Sequence, residues 1–154
     1  MERPPPRLAG VVSAAAVVLS LIFVGYEIRQ NSAAVRGATY QSIMEASVAY
    51  TEWIASDERV AGLIVRVMNG AGPEDFSAED NLALTAVYFS GIRRGQNVYL
   101  QLKEGLISED AFEHFRGPRG ESMFRTPYFD AAWPEYRVAL PPDFIPFFER
   151  EWME

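Results

Sequence analysis

The stretch LAGVVSAAAVVLSLIFVGY, residues 8–26, decides the fold, because none of its side chains carries a charge. As a helix rising about 1.5 Å per residue, it reaches roughly 28 Å, close to the ~30 Å thickness of a bilayer's hydrocarbon core. A helix satisfies its own backbone hydrogen bonds, which a single open strand in lipid cannot do. The sequence therefore predicts a transmembrane helix over residues 8–28, with the lipid bilayer as its first partner.

The residues on either side of this span differ in character. Residues 1–7, MERPPPR, are proline-rich and predict a short stiff tail. After the span, Gly37 is the one strong helix breaker before Ser56. Apolar side chains recur there at helical spacing, at Ile28, Val35, Thr39, Ile43, Ala46, Tyr50 and Trp53. The membrane helix is therefore predicted to continue as a long amphipathic helix, the first element of an extramembrane domain over residues 29–154.

Capping and stop signals predict about five shorter helices after the long one. Ser77 precedes two acidic residues and resembles a helix start, and Gly105 suits a left-handed helix end. Pro134 is expected to strain or end the fifth helix. The predicted helices cover residues 57–68, 77–104, 108–116, 126 to about 134, and 143 onward. No strand pattern competes with them, so the predicted fold is an all-α bundle.

Composition excludes several classes of function. The chain has 14 Lys and Arg against 21 Asp and Glu, a net charge of −7, and such an acidic protein repels nucleic acid. It has no cysteine, which excludes disulfides and thiolate metal sites. His114, the single histidine, lies beside Glu113 and lacks the Glu-x-x-His spacing of di-iron bundles. We therefore expect a non-enzymatic protein without cofactor or metal.

A secretory signal peptide is the alternative interpretation of the N-terminus. Arg3 and Arg7 form a basic start, and the small residues at 32–34 loosely fit a cleavage site. However, the apolar run exceeds the ~7–15 residues of a signal-peptide core. Charged residues also separate that run from the candidate cleavage site. The basic residues that flank the span are equally numerous on both sides, so the positive-inside rule leaves the orientation open.

Several short motifs carry a resemblance to a known type of protein. Residues 28–31, IRQN, directly follow the span, residues 39–41 read TYQ, and residues 104–106, EGL, follow the pair Arg93-Arg94 and Asn97. This pattern resembles an uncharacterised family of small bacterial single-span membrane proteins with a helical C-terminal domain. The resemblance implies a fold and a bacterial inner-membrane location, but no activity. Members of the family often carry more arginine after the Asn, which favours a cytoplasmic domain; this chain has only Arg36 there, so the side stays open with a slight preference for the cytoplasm.

The most informative polar residues lie in the middle of the predicted third helix. Arg93, Arg94 and Asn97 share a helical face there, next to Gln96 and Gln101. One interpretation is a structural network that pairs them with Glu45 or Glu52 of the long helix. The other is a site for an anionic ligand, since the guanidinium fork suits carboxylates and phosphates.

A second set of residues suggests a partner-binding role. Gly10 and Ala14 stand four apart in the span and offer a small-residue face for helix contact. The C-terminal aromatic residues form either the core or an exposed docking surface: Phe144, Phe147, Phe148 and Trp152. The function expected is a non-catalytic, membrane-anchored accessory or scaffold subunit of a larger membrane complex, of the respiratory or photosynthetic type by analogy. The alternative is a membrane-tethered sensor that binds a small anion near Arg93, Arg94 and Asn97.

Overall fold

A computed structural model describes residues 6–116 and 123–154 of the chain. Every regular element in these two ranges is helical, and neither range contains a strand. The all-α prediction is therefore confirmed for the described residues. The six α-helices are α1 Pro6–Ser56, α2 Glu58–Met68, α3 Ala78–Lys103, α4 Glu109–Arg116, α5 Pro127–Arg137 and α6 Phe144–Phe148. A 3₁₀ turn, Pro73–Asp75, precedes α3, and a π-helical turn, Glu149–Met153, follows α6.

Helix α1 is one uninterrupted helix that begins at Pro6, two residues earlier than predicted. Proline is tolerated there because the first-turn N–H groups have no intrahelical partner. Residues 1–5 of the predicted tail lie outside the described residues. Gly37 does not interrupt the helix. The chain divides into two units, Met1–Ala38 and Thr39–Glu154, so α1 contributes to both.

The N-terminal unit carries the candidate membrane span. The most apolar part of α1 is long enough to cross a bilayer, and none of it is buried within the protein. Val11 and Leu19, for example, keep about two thirds of their surface exposed. So many exposed apolar side chains on one helix would be costly in water and favourable in hydrocarbon.

In the second unit, the buried face of α1 differs from the predicted stripe. Ile43 is fully buried and Tyr50 is half-buried, as expected, and Ser47 and Ile54 are half-buried on the same face. Ala46 and Trp53 are exposed, which corrects the prediction. The spacing 43, 47, 50, 54 is also helical, so periodicity permitted either face, and the position of α3 decides between them.

The helix boundaries follow the sequence signals closely. The Asp57 carboxylate accepts hydrogen bonds from two backbone N–H groups at the start of α2, and the Ser77 hydroxyl accepts one at the start of α3. Gly105 ends α3 with a φ of +67°, a conformation that favours glycine. Ser108 likewise caps α4. The capping residues therefore place the three helices.

Helix α5 corrects one prediction, because it continues through Pro134 to Arg137. An internal proline removes one backbone hydrogen bond and costs about 3 kcal/mol. The buried side chains of Trp133 and Tyr136 lie on both sides of this proline. Their burial offsets that cost, since a fully buried large apolar side chain contributes about 1.5–3 kcal/mol.

The core of the second unit is unusually aromatic and includes the C-terminal residues. Phe144 and Phe148 are completely buried, and Trp152 is 7% exposed. The rings of Trp133 and Trp152 both stack on Phe148 at centroid distances of 5.2 Å. These residues therefore cannot form the docking surface suggested by the sequence, because the other helices already cover them. Phe147, which packs against the same core, is partly buried.

Candidate functional site

A groove of about 460 Å³ lies between α1 and α3, at the polar cluster that the sequence singled out. We call it the Arg94 groove. Its size falls within the range of about 300–1,000 Å³ typical of small-molecule sites. It is lined by Ala46, Ala49, Tyr50 and Trp53 of α1 and by Ser90, Arg93, Arg94 and Asn97 of α3.

Arg94 is the central residue of this groove and is only partly accessible to solvent. Its Nη1 donates a hydrogen bond to the Ser47 hydroxyl at 3.1 Å. Its guanidinium carbon lies 5.4 Å from the centroid of the Tyr50 ring, in cation–π range. Its Nε is buried without a hydrogen-bond partner. Burial lowers the pKa of Arg94 below its ordinary value, and Tyr50 partly opposes this effect.

The structure gives Arg94 no acidic partner. Within residues 6–116 and 123–154, none of the ion pairs between a basic and an acidic side chain involves Arg94. The predicted pairing with Glu45 or Glu52 is wrong, because no ion pair among the described residues includes either carboxylate, and Glu45 accepts a hydrogen bond from Gln41 one turn away on α1. A partly buried guanidinium without a counter-ion is costly, since its desolvation is uncompensated.

The other two predicted ligand-binding residues also line the groove. Arg93 is exposed, and its Nη1 donates to Gln96 Oε1 at 2.6 Å. Asn97 uses its oxygen to accept a weak hydrogen bond from Gln101 at 3.3 Å. No described residue accepts a hydrogen bond from the Asn97 side-chain nitrogen. Arg93, Arg94 and Asn97 are therefore brought together as predicted, and all three retain hydrogen-bond donors for a ligand.

The opposite wall of the groove is apolar and was not recognised from the sequence. Trp53 is 39% exposed, and Ala46 and Ala49 are exposed beside it. The sequence pattern assigned Ala46 and Trp53 to the core because both are apolar at helical spacing. An exposed tryptophan beside a cluster of unused cationic donors is the signal that points to a site.

Tyr50 forms the floor between these two walls. Its hydroxyl donates to the Val87 backbone carbonyl at 3.1 Å. Burial raises the pKa of Tyr50 to about 12, and the neighbouring Arg94 charge partly opposes this rise. The phenol is therefore neutral at ordinary pH, and its one proton is already used within the protein. It contributes a ring face to the groove and no free donor.

The raised tyrosine pKa values predict a loss of stability in alkali. An unfolded tyrosine loses its proton near pH 10, whereas the pKa values of Tyr50 and Tyr128 are each about 12 in the fold. Burial favours the protonated phenols, so their full contribution to the free energy of unfolding is present below pH 10 and is lost as the pH rises toward 12. We expect the free energy of unfolding, measured with denaturant, to fall over this interval.

The Tyr50→Phe variant is the control for this pH dependence, since it removes one of the ionising groups. We expect a smaller fall in this variant than in the wild-type protein. A free energy of unfolding that stays constant between pH 10 and 12 would contradict the assigned burial of these phenols.

The remaining candidate residues lie away from the groove. Gly10 and Ala14 belong to the N-terminal unit and are exposed there, and no atom lies within 4 Å of a Cβ added at Gly10. His114 uses its Nδ1 in a 2.7 Å hydrogen bond with the Asp110 backbone oxygen. Among the described residues, no group of three or more acidic or histidine side chains could hold a metal ion.

Comparison with known proteins does not indicate a family or a function for this chain. Neither the known protein families, nor the curated proteins, nor the solved structures contain a match to this chain.

Proposed function

We propose that this protein is a membrane-anchored, non-catalytic domain that binds a small anionic ligand in the Arg94 groove. One observation carries the proposal: the partly buried Arg94 lines an open groove and has no acidic partner among the described residues. An anion in the groove would supply the missing counter-charge. The bond would form in a partly desolvated place, where charge-assisted hydrogen bonds are strong.

The two walls of the groove also indicate the shape of the ligand. Arg93, Arg94 and Asn97 supply hydrogen-bond donors on α3, while Ala46 and Trp53 supply apolar surface on α1. A molecule with an anionic head and a flat or aliphatic body would satisfy both walls. We therefore favour a monocarboxylate of this kind over a fully polar anion such as inorganic phosphate.

The test measures binding to the full chain in lipid nanodiscs by calorimetry, with naphthoate, hexanoate and inorganic phosphate as probes. We expect naphthoate to bind best and the Arg94→Met variant to bind it at least about tenfold more weakly, a loss of about 1.4 kcal/mol. Methionine keeps much of the apolar side-chain volume, so the fold is expected to persist. A thermal melt of the variant verifies this.

The matched control is Arg137→Gln, which removes an exposed arginine that lies outside the groove and pairs loosely with Glu149 at 3.9 Å. This control is expected to bind naphthoate as the wild-type protein does. Equal binding by the wild-type and Arg94→Met proteins would remove the groove from consideration. Tight binding of phosphate alone would overturn the amphiphilic ligand but keep the anion site.

The membrane part of the proposal rests on the exposed apolar residues of α1. We propose that residues 8–28 span a bacterial inner membrane and hold the domain on its cytoplasmic side. Resistance to extraction by alkaline carbonate and digestion of the domain in inverted vesicles would support this arrangement. Extraction into the soluble fraction would contradict it.

The accessory-subunit function is the second candidate, and it now rests on the span alone. Gly10 and Ala14 offer an open small-residue face for another transmembrane helix. The aromatic residues no longer contribute, because Phe144, Phe148 and Trp152 are buried. Extraction from native membranes in mild detergent tests this candidate: a stoichiometric partner that is lost in a Gly10→Leu variant would support it, and a protein that purifies alone would contradict it.

A further inference from the structure

A second groove, of about 390 Å³, lies between α3 and α5 and is separate from the Arg94 groove. We call it the tyrosine groove. Its size is also typical of small-molecule sites. It is lined by Pro73 of the 3₁₀ turn, Asn81, Thr85 and Phe89 of α3, and Tyr128, Ala131, Ala132, Glu135 and Tyr136 of α5.

The side-chain donors of this groove are all used within the protein. The Tyr128 hydroxyl donates to Asn81 Oδ1 at 2.8 Å. The Asn81 side-chain nitrogen donates to the backbone oxygens of Pro73 and Phe76. The Thr85 hydroxyl donates to the Asn81 backbone oxygen at 2.8 Å. These three side chains therefore offer a ligand only hydrogen-bond acceptors, and the same holds for Tyr136.

Tyr136 is the remaining tyrosine of the lining, and its proton is also used within the protein. Its hydroxyl donates to Thr85 Oγ1 at 3.4 Å. Burial raises the pKa of Tyr136, and the hydrogen bond with Thr85 partly opposes this rise. The phenol therefore keeps its proton, and the Glu135 carboxylate belongs to the lining of the same groove. A donor from a ligand would find both an acceptor and a carboxylate in this place.

The charge and the aromatic rings of the groove both favour a cationic ligand. Glu135 is exposed, and no ion pair within the described ranges involves it. The rings of Phe89 and Tyr136 pack edge to face at 5.1 Å and form part of the lining. A carboxylate beside aromatic rings attracts an organic cation by charge and by cation–π interaction. The net charge of −7 also favours the approach of cations.

From these features we infer that the tyrosine groove is a binding site for a primary alkylammonium cation. The ammonium N–H groups would donate to the phenol oxygens and to the Glu135 carboxylate, and the alkyl chain would lie against Phe89 and Ala132. A primary ammonium fits better than a quaternary one, because the lining offers acceptors that only N–H groups can use. This site is independent of the anion site proposed for the Arg94 groove.

The experiment titrates the full chain in nanodiscs with n-butylammonium, butanol and tetramethylammonium, each followed by calorimetry. Saturable binding of n-butylammonium is expected, with tetramethylammonium weaker and the isosteric but uncharged butanol weakest. Glu135→Gln is expected to weaken n-butylammonium binding about tenfold or more. Glu104→Gln removes an exposed carboxylate that lies outside the groove and is expected to leave the binding unchanged.

Three results would overturn the inference: no saturable binding of n-butylammonium, equal binding of butanol, or equal effects of the two glutamate variants. A Thr85→Val variant provides a second test, since it removes one hydroxyl of the acceptor network without changing any charge. It is expected to weaken n-butylammonium more than tetramethylammonium. Naphthoate binding should be unaffected by Glu135→Gln, so failure at this site is distinguishable from failure at the Arg94 groove.

Discussion

Replacing Phe148 with alanine is expected to lower the free energy of unfolding by about 3–5 kcal/mol, the usual cost of truncating a buried aromatic residue. Phe148 has no exposed surface. Its ring lies within 6.2 Å, centroid to centroid, of five others, those of Phe124, Phe129, Trp133, Phe144 and Trp152. The truncation would leave a cavity among large rigid rings that cannot easily collapse.

The measurement is denaturant unfolding of the full chain in detergent, followed by near-ultraviolet circular dichroism of the aromatic residues. Val138→Ala is the matched control, since Val138 is 84% exposed, and its truncation is expected to change the unfolding free energy by less than about 0.5 kcal/mol. Similar small changes in both variants would contradict the burial of Phe148. They would also reopen the C-terminal aromatics as a docking surface.

Replacing Gly91 with valine is expected to cost about 3 kcal/mol or more, toward the upper end of the range for overpacking a core. A Cβ at this position would lie 2.8 Å from the Phe124 ring and 3.0 Å from the Tyr50 hydroxyl. The Phe124 ring is held by Phe129 and Phe148, so it cannot move away without disturbing the core. Displacement of Tyr50 would also deform the floor of the Arg94 groove.

Gly62→Val is the control for this variant, because no atom lies within 4 Å of a Cβ added at Gly62 on α2. Valine has a somewhat higher helix propensity than glycine, so this change is expected to be neutral or to stabilise slightly. The two variants therefore separate crowding from helix propensity in the same unfolding experiment. Equal stability of the two proteins would contradict the close approach of the Phe124 ring and the Tyr50 hydroxyl to Gly91.

Local signals predicted the elements of this fold well. Capping side chains such as Asp57 and Ser77 act within a few residues of themselves, so their effect can be read from the sequence. Pro134 misled the prediction, because the burial that keeps α5 helical past this residue depends on distant elements. The same limit explains α1: its helical period was correct, but the position of α3 decides which face is buried.

The candidate site was predictable in part for a similar reason. The spacing of Arg93, Arg94 and Asn97 places them on one face of any helix, and the structure keeps them together. Their partners could not be predicted, since Ser47 and Tyr50 reach Arg94 across a sequence separation of more than forty residues. The tyrosine groove was also not anticipated, because it depends on three segments meeting in space.

The central claim is that an anion binds to Arg94, and the most direct test is nuclear magnetic resonance of the arginine side chains. The Arg94 Nε is buried and unpartnered, which should slow exchange of its proton with solvent and give it a distinct resonance. Titration of the full chain in nanodiscs with naphthoate is expected to shift this resonance saturably, while that of the exposed Arg137 stays unchanged. An unchanged Arg94 resonance at naphthoate concentrations that saturate binding would contradict the account.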